Sequence, residues 1–336
     1  MGLTSLALLS YAKESSFDED FTFARKAFED KFYDLAKEKL EAIVRGYPER
    51  EEARLLLGET YFYLGKLDQA LKELSVIVEK NPPGKFLADA TYWMGEVYFK
   101  TGDYKTALNF YQKIIGDFLE SNLYGYALYS KGCSLFNLKD FESAKDVFKL
   151  VLKRFPRGNL AQDSQFKLAA IFYETKNLEE AKNQLLSYLK KYPEALNSKE
   201  AYYLLGEIDY KKNDFESAVK NYSSAIAGAK DSKWIPSAHY HLGVSYLSLN
   251  KPDEASKAFD GCLKLSSDDK LNAEVKLAMA KLSYQLGNTA NAIGLYKESI
   301  AMLKNSELEY EARYNLGWLY KELSRNEEAA KEFEQV

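Results

Sequence analysis

The sequence predicts an all-α chain built from stacked helical hairpins, on the strength of one short stretch and its copies. Residues 55–74 read LLLGETYFYLGKLDQALKEL. Leu57 and Gly58 are followed three residues later by Tyr61, then by a turn at Gly65, then by Ala70, Leu74 and Ile77. The last three stand at the i, i+4, i+7 spacing of one buried helix face. A small residue at Gly58 suits a first helix that its partner crosses closely. Pro82 closes the unit, because a helix does not run through proline undamaged.

The copies follow at a fixed interval. Gly58 recurs as Gly95, Gly132, Ala169, Gly206, Gly243, Ala280 and Gly317, each 37 residues after the last. Ala70 recurs as Ala107, Ala144, Ala181, Ala218, Ala255, Ala292 and Ala329. Four residues beyond each alanine stand Leu74, Tyr111, Phe148, Leu185, Tyr222, Phe259, Tyr296 and Phe333. An earlier copy carries Ala24, Ala36, Leu40, Ile43 and Pro48, with an interval of 34. The count is about eight and a half helix pairs, the ninth stopping inside its second helix at Val336. An unfinished array leaves Phe333 and Val336 on an uncapped stripe, as expected of a partial gene product.

The array is expected to occupy residues 17–336. Residues 1–16 form a separate extension with two readings. Leu3 to Leu9 are a short apolar run, and Ser10-Tyr11-Ala12 fits a signal-peptidase cut after Ala12, but a basic n-region is missing. The other reading is the start of an N-terminal helix.

Composition narrows the function classes. With 46% hydrophobic and 29% charged residues the chain has material for a core. A net charge of −4 offers no general attraction to nucleic acid. Cys133 and Cys262 match no zinc, haem or redox spacing. The seven prolines are expected between helices, and no apolar run of 18 residues suggests a membrane span. His239 and His241, the two histidines, point about 200° apart on a helix and make no metal pair. No nucleophile triad, phosphate loop or zinc motif occurs, so neither catalysis nor a cofactor is expected.

The pattern L-G-x-x-Y, then A-x-x-x-F, then P resembles the tetratricopeptide repeat (TPR) over essentially the whole chain from Phe17. Its usual period is 34 residues; here three more fall between the second helix of one repeat and the first helix of the next. Segments such as KYPEALNSKEAYYLLGE resemble bacterial cell-envelope TPR proteins, among them the Tol-Pal-associated coordinator and the outer-membrane assembly TPR lipoprotein. The resemblance implies a right-handed superhelical solenoid, with first helices lining a concave groove that holds a peptide or partner helix. It implies a non-enzymatic scaffold in the periplasm or cell envelope; a cytoplasmic adaptor and the recognition arm of a larger protein stand as alternatives.

Four rows of residues bear on such a groove. Three before each glycine or its equivalent stand Phe21, Leu55, Tyr92, Tyr129, Phe166, Tyr203, Tyr240, Leu277 and Tyr314. Four after it stand Phe28, Phe62, Phe99, Phe136, Tyr173, Tyr210, Leu247, Tyr284 and Lys321. The rows share one helix face. Their rings either pack between neighbouring first helices or form an apolar floor for a partner segment. A third of each ring's ~150–250 Å² left open would expose roughly 700–1,200 Å², more than the ~300–600 Å² of an ordinary largest patch. Directly after the glycine the residue varies, from Arg25 and Glu59 through Glu96, Cys133, Ala170, Glu207, Val244 and Lys281 to Trp318, and this row is expected to set specificity. It holds no asparagine, unlike the carboxylate-clamping row of chaperone-binding TPR domains. Six before the glycine, seven of nine residues are acidic: Asp18, Glu52, Asp89, Asp163, Glu200, Glu274 and Glu311. Such acids complement a helix dipole at roughly 0.3–1 kcal/mol each; facing the groove, they would select a basic and hydrophobic partner.

Two departures stand out. Lys131 replaces the apolar residue before its glycine and can snorkel outward. Asp209 replaces the aromatic three after its glycine, a core-facing place where a carboxylate needs a donor.

Overall fold

The computed structural model describes residues 2–230, 232–303 and 305–336, with side chains from Ser16 onward. The leader reading of residues 1–12 rests on side chains outside the described residues. The described residues form 18 α-helices and no strand. They fall into two compact units, Met1–Ile171 and Phe172–Val336.

The first unit contains the hairpins α1 (Gly2–Glu29) with α2 (Tyr33–Gly46), α3 (Glu51–Tyr63) with α4 (Leu67–Val78), α5 (Leu87–Thr101) with α6 (Tyr104–Asp117), and α7 (Tyr124–Asn137) with α8 (Phe141–Arg154). The boundary lies within α9 (Asn159–Glu174), which is followed by α10 (Leu178–Lys191). The second unit continues with α11 (Ser198–Lys211) and α12 (Phe215–Ile226), α13 (Ile235–Ser248) and α14 (Pro252–Leu265), and α15 (Asp269–Gln285) and α16 (Thr289–Met302). It closes with α17 (Glu307–Glu322) and α18 (Asn326–Phe333). Nine pairs, the last with a short second helix, match the repeat count.

Each hairpin is closed by the same turn. The first helix ends on a left-handed residue, at Lys31, Gly65, Gly102, Lys139, Lys176, Asn213, Asn250, Gly287 and Ser324. Asp103, Asp140, Asn177, Asp214 and Asn288 then cap the second helix by accepting a bond from a backbone N–H three residues on. The extra residues of the long period fall where expected: eight separate α4 from α5, against four between α2 and α3. The expectation that all prolines lie between helices fails at Pro236 and Pro252. Both sit in the first turn of their helices, where proline's missing N–H has no intrahelical partner to lose.

In six of the hairpins the repeat position is a glycine that touches the residue 16 places later. A Cβ on Gly206 would fall 2.6 Å from Cδ1 of Tyr222, and one on Gly243 would fall 2.5 Å from Cε1 of Phe259. Gly58 meets Leu74, Gly95 meets Tyr111, Gly132 meets Phe148 and Gly317 meets Phe333 in the same way. Phe333 is therefore half-buried against Gly317 rather than left open, while Val336 is exposed. Tyr111, Phe148, Tyr222 and Phe259 are fully buried beside the invariantly small Ala107, Ala144, Ala218 and Ala255. First helices also touch across repeats: α1 with α3, α3 with α5 and α5 with α7 in the first unit, α11 with α13, α13 with α15 and α15 with α17 in the second.

The buried acid at Asp209 finds the donors it needs. Lys182 Nζ lies 2.6 Å from Oδ1 and Asn221 Nδ2 lies 2.7 Å from Oδ2. The ammonium comes from α10 and the amide from α12, so Asp209 ties its own hairpin to the preceding helix. Gly206→Val is expected to cost about 1–3 kcal/mol through overpacking against Tyr222, measured by urea denaturation. Gly116→Val, with nothing within 4 Å of the added Cβ, serves as the comparison and is expected to cost no more than about 1 kcal/mol.

Candidate partner-binding site

The two aromatic rows lie on the first helices and are largely consumed by packing. In three repeats the ring four after the glycine meets the residue two before the next glycine or its equivalent. Phe62 packs edge-on to Trp93 at 5.2 Å, Tyr210 stacks on His241 at 4.9 Å, and Lys167 lies over Phe136 at 5.3 Å. A cation from further along the next first helix covers others: Lys100 over Phe62 at 4.3 Å and Lys211 over Tyr173 at 4.4 Å. Phe99, Phe136 and Tyr210 also meet Tyr104, Phe141 and Phe215 at the start of their own second helices.

The residues expected to line a groove therefore divide. Phe166, Cys133 and Glu207 are buried. Burial pushes the Cys133 thiol up to about 11. Tyr92, Glu96, Phe99, Tyr129, Phe136, Tyr173, Tyr203, Tyr210 and Tyr240 are half-buried, and Tyr284, Tyr314 and Trp318 are exposed. Tyr63 and Tyr126, which were not among the expected groove residues, are also exposed on first helices, at 47% and 52%.

Glu96 and Glu207, in the variable row, turn toward the core. Tyr111 donates to Glu96 Oε1 at 2.8 Å, and Ser130 of the next repeat donates to the same oxygen at 2.8 Å. Tyr222 donates to Glu207 Oε1 at 2.7 Å, with His241 Nδ1 of the next repeat 2.5 Å away. Burial pushes the Glu207 carboxyl up, but the bonds and charge of His241 and the Tyr222 hydroxyl outweigh it and hold it below the usual range.

Glu59 has no such anchor, because Leu74 occupies the place of the tyrosine. Its carboxylate faces Asp89 of the next repeat, beside the Trp93 indole. Burial, then the charge of Asp89, pushes Glu59 up to about 7 against the opposing hydrogen bond from Trp93. Burial also raises Asp89. Among the described residues neither acid has a lysine or arginine partner. Of the equivalent pairs in the second unit, Lys281 with Glu311 alone holds charges at both positions, and there the ammonium and carboxylate form an ion pair. Around Glu59 the rings are continuous: Tyr63 stacks on Tyr33 at 5.0 Å and meets Trp93 at 5.9 Å.

In the second unit the first-helix face opens into a cavity of about 670 Å³ between α13, α15 and α17. Val244, Leu247, Leu277 and Leu308 give it apolar walls, and Tyr240 and Glu274 also line it.

With this geometry in hand, four TPR family profiles match, over residues 27–85, 89–118, 236–269 and 277–336. The chain is a tetratricopeptide repeat protein. The profile of the YfiO outer membrane lipoprotein family also matches residues 121–234. No curated protein matches the chain significantly. Among solved structures, a TPR protein from Parabacteroides merdae is 14% identical with a TM-score of 0.51, over 80% of this chain and 98% of that one. The C-terminal part of a TPR protein from Cytophaga hutchinsonii is 17% identical with a TM-score of 0.56, over 72% and 93%. PilW, a type IV pilus biogenesis factor, is 16% identical with a TM-score of 0.56, over 66% and 97%. At these identities the structures establish the fold alone. This TPR chain thus has the architecture of a protein-interaction scaffold, and its residues 121–234 resemble an outer membrane lipoprotein family.

The acid pair gives a pH dependence of defined sign. Unfolded, Glu59 titrates near 4.5; folded, near 7. The native state holds the extra proton between these values, so this group's stabilising contribution is full below pH 4.5 and lost as pH rises through 7. Glu59→Gln is expected to raise the urea midpoint at pH 8 and leave it nearly unchanged at pH 4.5. A midpoint that rises equally at both pH values would contradict the assignment.

Proposed function

We propose that this protein is a non-enzymatic scaffold that binds a segment of a partner protein along the exposed part of its first helices, in the assembly or upkeep of the bacterial cell envelope. The observation that carries this reading is the Glu59–Asp89 pair. Two carboxylates of neighbouring repeats face each other without a cation, next to the exposed ring of Tyr63 and the indole of Trp93. Such a pair makes ionisation of its own carboxyls costly unless a cation arrives from outside. Lysine or arginine in an otherwise apolar segment supplies that cation and uses the rings as well. The partner is therefore basic and hydrophobic. The match to the YfiO family over residues 121–234 supports the envelope setting.

The face is recognised by charge at unsatisfied positions rather than by its whole aromatic ladder, since Phe99, Phe136 and Tyr173 are committed to packing. Alanine at those three places would unsettle the stack. A photo-crosslinking residue at Tyr63, compared with one at the exposed Val76 on α4 of the same hairpin, provides the test in cells. Tyr63 is expected to give a discrete adduct that fades in high salt and with the double substitution Glu59→Gln and Asp89→Asn. Equal adducts from Val76, or an adduct indifferent to salt and to the double substitution, would count against this function.

A further inference from the structure

The cavity in the second unit exists because two ladder positions lack their rings. Three before the glycine, the second unit carries Tyr203, Tyr240, Leu277 and Tyr314. Four after it stand Tyr173, Tyr210, Leu247 and Tyr284. Apart from Lys321 in the last repeat, the two leucines are the non-aromatic members of these series, and both line the same cavity. The residue directly after the glycine also changes there. Glu207 in the preceding repeat reaches a tyrosine hydroxyl, whereas Gly243 faces Phe259, which has none, and is followed by Val244. Apolar walls thus replace two rings and a tethered carboxylate. The resulting space of about 670 Å³ lies within the ~300–1,000 Å³ of binding pockets generally.

The charge at its rim is not balanced. Lys281 is paired with Glu311, and Lys276 with Glu298. Among the described residues Glu274 forms no ion pair. Glu274, Glu311 and Lys281 are the charged residues lining the cavity, and with Lys281 paired to Glu311 the Glu274 carboxylate leaves the rim electronegative. A fatty acid carboxylate, a phosphate or an acidic peptide would be repelled there, whereas an ammonium or guanidinium is favoured.

We propose that this cavity is a docking site for a partner protein segment that inserts one bulky apolar side chain between Leu247 and Leu277 and sets a lysine or arginine against Glu274. This rests on the reading of the first helices as the binding face. It adds a defined anchor pocket and a local sequence preference, an aromatic or large aliphatic residue beside a basic one.

The test fills the pocket with the residues that the repeat itself uses. The double substitution Leu247→Tyr and Leu277→Tyr restores rings that Tyr210 and Tyr240 show to be compatible with equivalent places. Circular dichroism and thermal unfolding verify that the variant is folded. A displayed random-peptide library is selected on the full chain, and the best peptide is synthesised and its affinity measured. Selected peptides are expected to carry Trp, Phe or Leu within two residues of Lys or Arg. Their affinity is expected to fall roughly tenfold or more in the filled variant, as for loss of a central anchor, and severalfold with Glu274→Gln, with a shallower salt dependence. Peptides that bind the filled variant unchanged yet weaken with Glu59→Gln and Asp89→Asn overturn the pocket while sparing the broader reading. Failure to select any peptide, or peptides blind to both sets of substitutions, overturns both. Uptake of a fluorescent fatty acid that the filled variant abolishes, without a peptide effect, overturns the proposal in favour of a lipid.

Discussion

Six of the hairpins close on the contact between a repeat glycine and the side chain 16 residues later, and alanine takes the glycine's place in the others. Gly95, Gly132, Gly206 and Gly243 let a ring from the second helix lie directly on the backbone of the first. That contact sets how closely the two helices approach and removes the largest side chains from water. It also determines the fate of the next residue. Where the ring is tyrosine, its hydroxyl needs an acceptor once buried. Glu96 serves Tyr111 and Glu207 serves Tyr222, and each acid then takes a second bond from the following repeat. One carboxylate so joins hairpin closure to repeat stacking. Where the partner is Phe148 or Phe259 the next residue is Cys133 or Val244, with no polar atom to satisfy.

The same logic isolates Glu59. Its place calls for a tyrosine hydroxyl, and Leu74 offers none. The carboxylate is left facing Asp89, and the protein holds two acids together at a cost visible in their raised proton affinity. Its charged equivalent in the second unit is resolved internally, by putting Lys281 in the place of one acid. The fold accommodates an ammonium at this place; in the first unit the repulsion is relieved instead by the raised proton affinity of Glu59.

This explains how far the sequence could be read. The period of 37, the hairpin count, the turn at Gly65 and the need for a donor to Asp209 were all legible, because they repeat or break a repeat at one position. The ladders were legible as a pattern but not as a surface. Their rings report what every repeat needs, and Trp93, Lys100, Lys167, Lys211 and His241 cover them. Glu207 and Cys133 were expected to face a ligand and are buried, because a variable position can vary to suit its own internal partner. The signal that could have separated them lies in pairs: the residue after the glycine read against the residue 16 beyond the glycine, and against the acid 30 residues on. Only Glu59 fails the first match and carries a like charge in the second.

Selectivity in such a repeat protein then follows from where a shared rule is left incomplete. A position identical in all repeats packs identically in all, and distinguishes no point along the face. Leu247 and Leu277 open space where rings belong, and Glu59 and Asp89 leave charge where a pair belongs. The first defect is one of shape and the second one of charge. A half-buried like-charge pair is costly to keep ionised, and a cavity forfeits dispersion contacts. Neither contributes to the stability of the chain alone, so each is a place where a partner can supply what the fold omits.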